Sequence, residues 1–117
     1  MKIIKSEEGE WVKGDGYLKK IFLSESDMKS PGNAFQVVKA EKGKTIKSHY
    51  HKETSEVFYI LKGNGIFFIG DSKQRCKEGD VLFCEAGERH GVINDTDDEF
   101  VWLVFKINFT EGDIIWD

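Results

Sequence analysis

The sequence predicts an all-β fold, a two-sheet jelly roll or barrel. Three observations carry that expectation. Apolar runs are short, and Gly, Asn, Asp or Ser interrupt them roughly every eight to twelve residues, the punctuation of a sandwich or barrel. Glycine is frequent, at 12, and proline occurs once. No stretch repeats its apolar residues at a helical period. A chain of 117 residues with 39% hydrophobic residues and nine Phe can close one core without disulfide staples.

Taken in order, the first ten or so residues read as a loosely held arm. Trp11-Val12 and the run 17–23 give the first strands, separated by Gly14-Asp15-Gly16. Residues 24–33 read as a loop closing on Ser30-Pro31-Gly32-Asn33, where Pro precedes Gly. Strands follow at 34–40 and 45–51, around the turn 41–44. Residues 52–55 turn the chain into a strand over 56–61. Lys62-Gly63-Asn64-Gly65 is expected to close a hairpin with 66–69. A short exposed strand at 73–77, a strand at 81–85 and another at 90–94 come next. The acidic tip Asp95-Thr96-Asp97-Asp98 is read as a solvated hairpin turn into the strand 100–106. About ten short strands fit the jelly-roll expectation.

Composition narrows the function. Net charge is −4 with the two signs interspersed, and no basic stripe points to nucleic acid. The start Met1-Lys2-Ile3-Ile4-Lys5 lacks the apolar core of a secretory signal, and no apolar run reaches membrane-spanning length, so a cytoplasmic protein is expected. Cys76 and Cys84 match no zinc spacing and are read as reduced, with Cys84 a small core residue.

All three histidines, His49, His51 and His90, fall between Gly43 and Asn94. Together with Glu56 they make a donor set suited to a divalent transition metal. Residues two apart on a strand face the same way, so His49 and His51 share a face and Tyr50 takes the other. Glu56 lies an odd five residues beyond His51. The turn at 52–55 is expected to fold it back beside the histidines, at the start of the antiparallel neighbour. His90 arrives from a further strand. Four ligands leave about two positions of an octahedral metal open to water or substrate.

This spacing resembles the cupin superfamily. Gly43, five residues, His49, one, His51, four, Glu56, six, Gly63 follows the first cupin motif; Gly79, Gly87, His90 and Asn94 follow the second. Glu85 stands where the family has proline, a residue that stiffens the turn before the last histidine. Fifteen residues, 64–78, separate the motifs, a short gap for the family. The resemblance implies a double-stranded β-helix barrel in a single domain over 1–117, with its core at about 34–106. It implies a metal on His49, His51, Glu56 and His90. It does not imply one reaction, since cupins include dioxygenases, isomerases, decarboxylases and non-enzymatic binders.

The strand from Glu56 should turn Phe58 and Ile60 inward with it. Pairing Asn94 with Phe100 across the acidic tip sets Val92 opposite Trp102 and His90 opposite Val104, so Trp102 and Val104 join the pocket wall; a one-residue slip would put Val101 and Leu103 there instead. The expected pocket is apolar and aromatic, without a Lys or Arg cluster, and Arg89 is placed on the surface. Glu53, Glu85 and Tyr59 are acid–base candidates by residue type alone. The apolar outer faces 57, 59, 61 and 101, 103, 105 need cover, which predicts a homodimer. The function classes that follow are a metal-dependent oxygenase on a small, partly apolar molecule, an isomerase or epimerase of a sugar or sugar phosphate, and a metal-dependent ligand-binding protein. Mn, Fe, Co, Ni, Cu and Zn all suit the donor set.

Overall fold

The computed structural model describes residues 1–117. Eleven strands build two antiparallel sheets. They are β1 (Val12–Lys13), β2 (Leu18–Leu23), β3 (Ala34–Ala40), β4 (Thr45–Tyr50), β5 (Ser55–Lys62), β6 (Ile66–Ile69), β7 (Ser72–Arg75), β8 (Val81–Cys84), β9 (His90–Ile93), β10 (Phe100–Ile107) and β11 (Ile115–Trp116). One sheet runs β1-β2-β3-β10-β5-β8 and the other β11-β4-β9-β6-β7. This is a two-sheet jelly roll, and the all-β expectation holds. No helix is long and apolar enough to cross a membrane.

Alternation explains which residues face the core. On β5, Glu56, Phe58 and Ile60 are buried, and Tyr59 between them is exposed. On β10, Phe100, Trp102 and Val104 are buried while Val101 and Leu103 are only partly so. The rings of Phe67, Phe100 and Trp102 meet at centroid distances of 5.2 to 5.8 Å. Each such fully buried apolar side chain stabilises the fold by roughly 1.5–3 kcal/mol over leaving it in water. This packing fills the end of the sandwich near Ile60 and Phe100, and the end near Glu56 is left to a cavity.

Three expectations about connectivity are corrected. First, β5 and β6 do not form a hairpin; they belong to different sheets. Gly63 makes a corner at φ +87°, where a Cβ would come within 2.5 Å of the Glu99 carbonyl oxygen, so only glycine passes there. Second, the acidic tip is not a hairpin turn. It carries the chain from β9 in one sheet to β10 in the other, so Val92 does not pair with Trp102. Asn94, 1% exposed, holds this crossing. Its amide donates to the carbonyls of Ala40, Glu41 and Asp98, and its oxygen accepts from the Thr96 N–H and hydroxyl. Third, the stretch 24–33 contains a one-turn helix, α1 (Glu25–Met28), closed by a Ser24–Asp27 capping box. The inward parity of Val92, Trp102 and Val104 survives because both sheets turn their buried faces to one interior.

Candidate metal centre

His49 lies on β4, His51 just beyond its end, and both side chains are buried. Parity alone would not have let Ile46 and His49 both face inward, since they are three residues apart. A bulge in the β4–β9 ladder between these positions adds one residue to β4 and resets its phase. His49 then pairs across the ladder with His90, the first residue of β9, with ring centroids 4.3 Å apart. Glu56 does not sit on a neighbouring strand, as the spacing suggested. It stands on β5 in the opposite sheet and reaches across the interior. Its Oε1 lies 2.9 Å from His51 Nε2 and 3.2 Å from His90 Nε2. The ligand atoms of the three imidazoles all lie within 4.8 Å of one another.

The other ring nitrogens decide whether this set fits a metal. His49 Nδ1 is 2.8 Å from the Lys47 carbonyl, His51 Nδ1 is 2.6 Å from that of Asp113, and His90 Nδ1 is 3.1 Å from that of Glu88. A carbonyl oxygen only accepts, so each Nδ1 carries the proton. Each Nε2 is thereby left for the common centre, with the other ring N–H held by an acceptor as is usual for histidine metal ligands. The residues fit a divalent transition metal held by His49, His51, Glu56 and His90. Bound there, the ion would act as a Lewis acid toward ligand oxygens.

Electrostatics agree. Burial, then the neighbouring His90, hold His49 down at about 4, so its ring is neutral and available as a donor. Burial would also lower His51, but the hydrogen bond and charge of Glu56 outweigh it and the pKa is raised. Burial works against the Glu56 carboxylate, yet His51 and His90 keep its pKa below the usual range. A proton shared in this cluster stands where a metal would.

The turn ahead of His90 manages without the family's proline. The Glu85 N–H donates to the Glu88 carboxylate and the Glu88 N–H to the Glu85 carbonyl, while the Gly87 N–H reaches the His51 carbonyl at 2.7 Å. The substituted residue contributes an N–H that proline lacks. Glu53 and Glu85 are exposed and Tyr59 faces outward, so none of the three reaches the cluster. Arg89 is exposed and ion-pairs with Asp117 at 2.9 Å. Cys76 and Cys84 are buried free thiols, and burial pushes Cys84 up to about 12.

A cavity of about 440 Å³ opens over the four ligands. Phe58, Val92, Trp102 and Val104 line it, and Ile60 is fully buried in the core and is not part of its wall. The cavity carries two lysines where no Lys or Arg cluster was expected. Lys106 and Lys19 both line it. Lys106 was legible, since it continues the inward set of Trp102 and Val104.

The C-terminal segment was not legible as part of the site. Phe109, Asp113 and Trp116 line the cavity. β11 pairs with β4 beside His49, and the Trp116 ring lies 4.6 Å from the His49 ring. The Asp113 carboxylate accepts from the N–H groups of Lys52, Glu53 and Thr54 and from the Thr54 hydroxyl. One residue thus fixes the ring of His51 through its carbonyl and shapes the turn to Glu56 through its side chain.

Comparison with known proteins agrees with this geometry. The profile of the cupin domain family matches residues 36–106. The oxalate-binding protein of Thermotoga maritima is 33% identical over 87 residues, which is 73% of this chain and 72% of that protein. Among solved structures, a predicted oxalate decarboxylase from Thermotoga maritima superposes with a TM-score of 0.84 at 24% identity, covering 92% of this chain and all of that one. KdgF from Halomonas gives 0.81 at 17% identity, covering 95% and 96%. At those identities the superpositions bear on the fold alone. With its family profile matched and the family's four-residue donor set gathered at one end of the sandwich, the chain belongs to the cupin domain family.

Proposed function

We propose that this protein binds a divalent transition metal through His49, His51, Glu56 and His90 and uses it to hold a small organic acid of the oxalate class. The observation that carries the reading is the set of three Nδ1–carbonyl contacts, which commits every Nε2 to one point. The acid class is supported by the relative that binds oxalate, at 33% identity. The chain's own residues have defined parts. Backbone carbonyls orient the imidazoles, Glu56 supplies the anionic ligand, and Phe58 and Trp102 give the cavity an apolar wall.

The test is elemental analysis of protein purified without added metal, with His49→Ala as control, followed by calorimetric titration of oxalate. The wild type should carry metal and bind oxalate, and the variant should do neither. Metal content equal to that of the variant sinks the reading. An oxygenase acting on a partly apolar molecule is a second reading, favoured by the aromatic wall of Phe58, Phe67 and Trp102. Oxygen uptake on adding substrate candidates to the Fe(II)-loaded protein would distinguish turnover from binding.

We also propose that the protein is a homodimer. The outer face of the six-stranded sheet exposes Tyr59, Leu61, Val81, Phe83 and Phe105 together. A contiguous apolar face of this kind is what a second copy would cover. Light scattering that gives a strict monomer at micromolar concentration would refute this.

A further inference from the structure

We propose that the cavity holds a second, anion-binding subsite formed by Lys106 and Lys19, which takes the far acidic group of a ligand whose near end sits at the metal ligands. The inference rests on the metal-and-acid reading above and adds the ligand class: a small hydroxy acid or keto acid bearing a second anionic group.

Lys106 is the direct cross-strand partner of Glu56 on the β5–β10 ladder and faces the same interior. It forms no ion pair with Glu56, whose carboxylate is turned toward His51 and His90 at 2.9 and 3.2 Å. The Lys106 ammonium rests over the Phe109 ring, 4.7 Å from its centroid, a contact that holds it at the cavity wall without neutralising it. Lys19 lines the same cavity from β2 and has no carboxylate within ion-pair distance either.

The cavity's acidic groups do not compensate them. Glu56 serves the histidines, and Asp113 serves the amides of 52–54. Glu111 is exposed and makes no ion pair. Two ammonium groups therefore line one cavity with no carboxylate within ion-pair distance of either. Burial depresses the Lys106 pKa; Glu56 opposes the effect and Lys19 adds to it. An anion between the two lysines would relieve both the desolvation and the repulsion. The cavity, at about 440 Å³, has room beyond a metal-bound acid group for this second contact.

The experiment uses the metal-loaded protein and three probes that share one chelating end: glycolate, malate and 3-phosphoglycerate. Metal content is measured first, so that its absence sinks the metal reading separately. Malate or 3-phosphoglycerate should bind about tenfold more tightly than glycolate, the yield of one charge-assisted contact in a partly buried site. Lys106→Met should remove that advantage, Lys19→Met should reduce it, and Lys106→Arg should restore it. Whichever doubly anionic probe gains more names the carboxylate or the phosphate as the preferred far group. Equal binding of all three probes by the wild type, or full retention of the advantage in Lys106→Met, overturns the subsite while leaving the metal centre standing. If no metal is found, malate titrated into the metal-free protein decides: binding weakened by Lys106→Met supports the subsite, and unchanged or absent binding overturns it.

Discussion

Replacing Asp113 by alanine removes the acceptor for four donors in the turn between two metal ligands. The N–H groups of Lys52 and Glu53, at 2.7 and 2.8 Å, are exposed and water can replace the carboxylate there. Thr54 is 2% exposed, and both its N–H and its hydroxyl lie 3.0 Å from Asp113 Oδ2. Leaving the Thr54 N–H without its acceptor costs about 1–3 kcal/mol, and the hydroxyl falls back on its long 3.5 Å contact to the Asn108 carbonyl, so the sum is about 2–3 kcal/mol. For a domain of this size that lowers Tm by roughly 8–12 °C. The same loss frees the turn that places Glu56 opposite His51, so metal affinity should fall about tenfold, the lower range for residues that orient metal ligands. Thermal unfolding of metal-free protein gives the first figure, and competition with a chromophoric chelator gives the second. Asp113→Asn, which keeps one acceptor oxygen, should lie between. A variant unfolding within about 0.5 kcal/mol of the wild type, the usual range for an unremarkable surface change, would refute the capping role. Lost stability with unchanged metal affinity would refute the link from turn to ligands.

Saturating metal should stabilise the protein by about 2.7 kcal/mol at a hundredfold excess over Kd, and a chelator should reverse the shift; no change in Tm would count against the site. In metal-free protein, NMR should find His49 titrating near 4 and His51 above the usual 6.5. The signs follow. His49 costs stability as pH falls from 6.5 toward 4, Glu56 loses its contribution as pH falls below its usual 4.5, and the His51 contribution is present below 6.5 and is lost as pH rises through its folded value. Gly91→Ala should destabilise by at least about 1–3 kcal/mol in chemical denaturation, since a Cβ there would lie 2.6 Å from the Ile46 carbonyl oxygen and overlap the Phe68 ring. Neither cysteine should react with iodoacetamide at pH 8 in folded protein, with burial holding the Cys84 thiol at about 12; rapid labelling of Cys84 would show the core to be open.

The sequence by itself determined the donor set and the faces. A two-residue period is a local property of extended backbone, so the shared faces of His49 with His51, of Glu56 with Phe58, and of Trp102 with Val104 followed from spacing. The turn positions followed as well, because Gly and Asn mark them through backbone conformations that other residues reach only at a cost. Tertiary structure decided which strands share a sheet. Parity says which way a side chain points and nothing about which ladder completes its hydrogen bonds, so β5–β6 and β9–β10 read as hairpins but are crossings between sheets. It also decided the bulge that brings Ile46 and His49 to one face, since the added residue exists only relative to the partner strand. Asp113 and Trp116 were invisible for the same reason. Their roles lie in contacts with residues about sixty positions away, and no local pattern carries a contact of that length.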